Sequence, residues 1–147
     1  MVDSARQIEN LLYTYAERID LGDLDGLSTL FTHGRIVAAI GAPPFVGRDG
    51  VREMFDAATR LYDDGTPRTK HVTTNAIIEV DDATGVGSSR SYYTVFQQTD
   101  ALVLQPIIAG RYHDTFHRVD DEWWFDVRVM LVDLVGDLSQ HLKYELP

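Results

Sequence analysis

Asp20 stands in the last turn of a segment in which Ile8, Leu12, Tyr15 and Ile19 recur at helical spacing, forming one apolar stripe. A carboxylate at that end meets the partial negative charge of the helix macrodipole, so the acid needs a reason to be there. Either it bonds the following loop amides of Gly22 or Asp23, as Asp does readily, or it serves chemistry together with Tyr15, whose hydroxyl reaches toward the same end. His71, in the run KHVTTN, opens a long alternating segment. Simple alternation groups it with Thr73, Asn75 and Ile77 on the more polar face, against Val72, Thr74, Ala76, Ile78 and Val80. It is then a surface or hydrogen-bonded histidine, unless that face lines a polar pocket or a bulge changes the phase.

Two further residues interrupt apolar faces. Asp114, in IIAGRYHDTFHRV, is in phase with Ile108, Gly110, Tyr112 and Phe116. An acid on a buried face must be paired or neutralised, so its pKa is expected to rise. A tyrosine, or Arg128 from the next strand, would satisfy it. Arg128 in FDVRVM calls for a carboxylate or a substrate oxygen. Tyr92 and Tyr93 fall on opposite faces, and Trp123 and Trp124 follow a turn, where packing accounts for them. His113 and His117 are four apart, a metal spacing on a helix but about 13 Å apart on a strand at roughly 3.3 Å per residue. No metal site, Ser-His-Asp arrangement or Gly-rich phosphate loop is expected.

The elements that must hold these residues follow from periodicity. Ser4 is a plausible N-cap of the first helix and Gly22 its stop; Asp23 caps a short second helix through Leu27, Leu30 and Phe31. A strand is predicted over Arg35–Ile40, a loop over Gly41–Gly47 and a third helix over Asp49–Tyr62. After the Asp63–Pro67 turn the period becomes two, predicting four long strands at Lys70–Asp81, Val86–Thr99, Leu102–Val119 and Glu122–Val135. Helices followed by hairpin-linked strands mean α+β in one domain, 1–147. Three helices on a curved antiparallel sheet make a cone whose open end is a natural ligand cavity.

Bulk composition sets outer limits. With 147 residues, 44% hydrophobic and 24% charged, the chain reads as one globular domain. A formal net charge of −10 argues against nucleic acid and anionic membranes as partners. No cysteine is present, and MVDSARQIEN lacks an apolar leader core, so a cytoplasmic address is expected.

The ordered runs YTYAERIDLGDLDGLSTLF, FVGRDGVREMF, KHVTTN, AGRYHDTFHRVDDEWWF and VRV resemble the SnoaL-like proteins of the nuclear transport factor 2-like superfamily, which have the cystatin-like cone fold. Scytalone dehydratase, bile-acid dehydratase and lindane dehydrochlorinase look closest in site pattern. Their Asp at the end of helix one and their His opening the next long strand match Asp20 and His71. The bile-acid enzyme's tyrosine is matched by Tyr15, and its late arginine by Arg128. Ketosteroid isomerase matches partly, at Tyr15 and Asp114, but its base position falls near Ala39, which cannot take a proton.

The resemblance implies a cofactor-independent lyase or isomerase acting on a small apolar, cyclic or polyketide-like molecule. His71 would be the general base, oriented by Asp20, with Tyr15 and protonated Asp114 or Arg128 stabilising the developing oxyanion. Two alternatives stand beside it: a non-catalytic binding or dimerisation domain using the outer sheet face, and the small subunit of a ring-hydroxylating oxygenase. A homo-oligomer through that face is expected.

Overall fold

The computed structural model describes residues 3–146; Met1 and Val2 of the expected leaderless N-terminus and Pro147 of the tail lie outside them. Helix α1 (Ser4–Asp20) is capped by Asp3, whose carboxylate accepts from Arg6 N at 2.8 Å, so the cap sits one residue before the expected Ser4. Its stripe of Ile8, Leu12, Tyr15 and Ile19 is buried as the spacing requires. Each buried aliphatic side chain contributes about 1.5–3 kcal/mol. Gly22, at φ +73°, turns the chain, and a side chain there would meet Gly65 O at 1.9 Å. That close approach presses the end of α1 against the loop leading to the third strand.

Asp23 caps α2 (Leu24–Thr29) through Gly26 N. Strand β1 (Arg35–Val37) is shorter than the predicted Arg35–Ile40, and the expected loop holds a second short strand, β2 (Phe45–Val46). Helix α3 (Gly47–Ala58) ends four residues before the predicted Tyr62. The reason lies in the C-terminal tail: Lys143 N donates to Ala58 O and Arg60 N to His141 O, both at 2.9 Å. The chain after Ala58 is thereby drawn out into a bridge between Thr59 and Leu142.

Four long strands follow: β3 (Thr69–Asp81), β4 (Val86–Thr99), β5 (Leu102–Val119) and β6 (Glu122–Val135). The last three match the predicted bounds, because turn residues punctuate them sharply. Among the described residues the sheet order is β2-β1-β6-β5-β4-β3, antiparallel except for the β1–β6 pair. The helices cover its concave side, giving the expected α+β cone.

The simple alternation assigned to β3 is corrected by a register shift between Thr74 and Ile77, with Asn75 at φ +53°. The extra residue lets His71 and Thr73 share the concave face with Ala76, Ile78 and Val80. His71 is therefore inward-facing beside apolar residues that strict alternation placed on the opposite side.

Asn tolerates the left-handed region, whereas a β-branched residue there is strained. Asn75→Val is expected to lower stability by about 1–2 kcal/mol in urea denaturation, with Asn75→Gly remaining within about 0.5 kcal/mol of the parent. Equal behaviour of the two would show that the bulge does not depend on this backbone conformation.

Candidate functional site

Asp20 is the last residue of α1, and its carboxylate is held by three donors from β3. Thr69 Oγ1 donates to Oδ1 at 2.9 Å, His71 N donates to Oδ2 at 2.8 Å, and His71 Nδ1 lies 2.6 Å from Oδ1. These bonds offset the unfavourable end of the helix dipole, at roughly 1.5–3 kcal/mol for a bond to a charged group. An ionised carboxylate only accepts, so Nδ1 carries the proton, and in the neutral imidazole Nε2 keeps its lone pair. Both side chains are almost fully buried, at 7% and 10% exposure. The loop-amide role open to Asp20 is not the one it takes.

His71 lines a cavity of about 150 Å³ in the cone, walled by Met54, Val95, Ile108 and Met130 among others. That volume is comparable to a cavity that accepts one benzene-sized ring. Tyr15, Tyr93 and Tyr112 line it as well. Tyr15 is buried edge-on among Phe31, Phe55, Tyr112 and Phe125. Burial pushes its hydroxyl up to about 12, with the charge and hydrogen bonding of Arg128 pulling against it. Burial likewise raises Tyr93 to about 12 and Tyr112 well above its ordinary value. These phenols are neutral groups. Tyr93 already donates to Leu131 O at 3.0 Å, over Gly110, where any side chain would strike its ring and Leu131 O.

Asp114 and Arg128 do not reach the cavity wall. Arg128 Nε and Nη2 donate to Asp114 Oδ1 and Oδ2 at 2.9 and 3.0 Å, and both side chains are fully buried. The guanidinium carbon sits 3.6 Å from the Tyr112 ring centre and 4.2 Å from that of Tyr15. The two rings stand in the lining while the charge lies against them. Burial pushes Asp114 up and the guanidinium opposes it. With both oxygens accepting from Arg128, Asp114 has no free edge from which to act as the expected protonated donor.

One lining residue lay beyond sequence reasoning. His141 comes from the tail and is 7% exposed, and its ring centre is 6.2 Å from that of His71. The tail forms one wall of the cavity: Gln140 O accepts from Gln97 Nε2 at 3.0 Å and from the Tyr62 hydroxyl, and Leu138 and Leu142 add apolar lining. The only sequence signal was an apolar repeat around His141 in a segment without regular structure. Burial, with the nearby His71 adding to it and Asp20 opposing, lowers the His141 imidazole to about 4. Among the described residues no group of three or more His, Cys, Asp and Glu is placed to hold a metal, and no helix is long and apolar enough to cross a membrane.

Two outcomes are expected. Arg128→Met leaves a buried carboxylate alone and should cost about 3–5 kcal/mol, whereas Arg128→Met with Asp114→Leu should regain most of it in denaturant titrations. A double variant as unstable as the single one would contradict this. His141 binds its proton less readily folded than unfolded, so its contribution to stability is intact above pH 6.5 and falls as pH drops toward 4. The loss is on the order of 3 kcal/mol, at 1.36 kcal/mol per pKa unit. Subtracting unfolding free energies of His141→Phe from those of the parent at pH 7.5 and 4.5 isolates it; identical slopes would refute it.

Comparison with known proteins agrees with the fold. A structure of a candidate scytalone dehydratase from Novosphingobium aromaticivorans superposes with a TM-score of 0.73 at 23% identity, covering 97% of this chain and 88% of that one. An NTF2-like protein with a cystatin-like fold from the same organism gives 0.71 at 20% identity, covering 92% and 84%. The beta subunit of a candidate aromatic-ring-hydroxylating dioxygenase, again from that organism, gives 0.68 at 18% identity, covering 90% of each chain. At these identities the likeness is one of fold. No curated protein shows a significant sequence match. The SnoaL-like domain pattern, however, runs through residues 1–129, and the cystatin-like cone described above belongs to a member of that family.

Proposed function

We propose that the protein is a cofactor-independent lyase that removes a proton and a leaving group from a small, apolar, cyclic molecule. The observation that carries this reading is the buried Asp20–His71 pair at 2.6 Å, opening onto an apolar cavity. Asp20 holds the tautomer in which His71 Nε2 is the base. In the step, Nε2 takes the proton from a carbon next to an electron-withdrawing group. The C–H electron pair becomes the new double bond as the bond to the leaving group breaks. When that group is hydroxide, the imidazolium returns the proton to it and water departs, leaving the enzyme as it began. The imidazolium charge is met by the Asp20 carboxylate, and neutral Tyr15 offers a hydrogen bond to the oxyanion that develops. Stopped after proton return to a different carbon, the same chemistry is an isomerisation.

A second reading has one observation in its favour. Tyr92 on β4, Val103 and Leu104 on β5 and Leu134 on β6 are exposed, at 50%, 81%, 62% and 69%. An assembly role through the sheet would cover such residues, and a sedimentation mass of a single chain would remove that reading.

For the lyase, a panel of β-hydroxy and β-halo cyclic ketones in D₂O, followed by NMR, reads both deuterium entry and alkene formation. The parent is expected to turn over at least one member. His71→Gln should lower the rate by about 10²–10⁴-fold, with Asp20→Asn impaired in the same sense. No exchange and no elimination by the parent, or equal rates in His71→Gln, would sink the proposal.

A further inference from the structure

His141 lines the cavity from the tail, beside Leu138, Leu142, Tyr144 and Leu146. A leucine, as at Leu138 and Leu142, would line this position without a polar atom. Instead the imidazole is 93% buried, and its Nδ1 is buried without a hydrogen-bond partner among the described residues. Leaving a buried polar group unbonded costs about 1–3 kcal/mol, which packing alone gives no reason to retain. The charged and titratable groups facing it are Asp20 from α1 and His71 from β3. Neither bonds it: Asp20 is engaged by β3, and His71 commits Nδ1 to Asp20.

The separation between the two rings is informative. Two imidazoles that share one oxygen through nitrogen contacts of about 2.8 Å have ring centres roughly 6–8 Å apart, the lower end corresponding to a bent bridge. The observed 6.2 Å falls within that range. A neutral imidazole offers one donor and one acceptor, so it suits a hydroxyl or carbonyl and has no charge to offer a carboxylate.

We infer that His141 is a substrate-contacting residue that holds one oxygen function of a one-ring apolar ligand beside His71. The inference rests on the lyase reading for what happens next: where the oxygen held there is a hydroxyl, it is the one that leaves. The placement of the oxygen does not depend on that chemistry. It defines the ligand class as a monocyclic body carrying a hydroxyl or carbonyl, with its apolar remainder against Met54, Val95, Ile108 and Met130.

The test uses phenol and toluene, which match in shape and differ in one oxygen. Phenol loses more hydration on burial, so a cavity without a partner for its hydroxyl favours toluene. NMR titration of the full chain, with the histidine ring nitrogens observed directly, gives both affinities and the contact. The expected result is that phenol shifts the His141 ring nitrogens saturably while binding at least as tightly as toluene. In His141→Phe the phenol-to-toluene affinity ratio should fall about five- to tenfold with toluene binding retained, and His141→Asn should recover part of it. Failure of either probe to enter, an unshifted His141, or an unchanged ratio in His141→Phe would overturn the inference; the first two are read on the parent protein without any variant. Loss of elimination in the ketone assay with the phenol contrast intact would count against the dyad chemistry alone. Loss of the contrast with elimination intact would count against His141 alone.

Discussion

A carboxylate at the wrong end of a helix organises this molecule. Asp20 closes α1 at the negative end of the helix dipole, and it is stable there because β3 brings three donors to it. One of those donors is a backbone amide, so the contact ties the helix end to the strand itself. The Gly22 turn against Gly65 brings the two elements close enough for this, and the bulge after Thr74 lets His71 face inward without turning Ala76, Ile78 and Val80 to solvent. The same bonds that join helix to sheet also select the tautomer of the imidazole. Anchoring and chemical preparation of His71 are one set of interactions.

Deeper in the cone, charge is kept within reach of the cavity but out of it. Arg128 and Asp114 neutralise each other across neighbouring strands, and aromatic rings cover the guanidinium. The lining is thus phenols and hydrocarbon over a buried cation. Such a floor biases the cavity toward ligands in which negative charge develops rather than pre-exists, because a fixed anion would lose its hydration without gaining a direct ionic partner.

Much of this was legible in the residues. Alternation and sharp turns placed β4, β5 and β6, and the phase of Asp114 with Tyr112 and Phe116 marked it as buried. Arg128 was one of two partners the residues offered it, a tyrosine being the other. The orientation of His71 was obscured because a bulge leaves no signature beyond an Asn in a strand, and simple alternation then assigns its neighbours to the wrong face. The end of α3 was missed because propensity through Leu61 is helical while the tail claims the Ala58 carbonyl and the Arg60 amide. His141 could not be placed at all: its position depends on long-range bonds from Gln97 and Tyr62, which no local pattern encodes.

The tail's mode of attachment has a kinetic meaning. Its bridge to the end of α3 is carried by the amides of Arg60 and Lys143, and its Leu138 and Leu142 form part of the cavity wall. Where entry requires the tail to lift, both amides are released in the same excursion that opens the cavity. Their hydrogen-exchange protection and the ligand's arrival rate then become two readings of one local opening free energy. Access to the cavity would be gated by how often the described tail, residues 136–146, lets go, and a tighter tail would trade speed of access for exclusion of water.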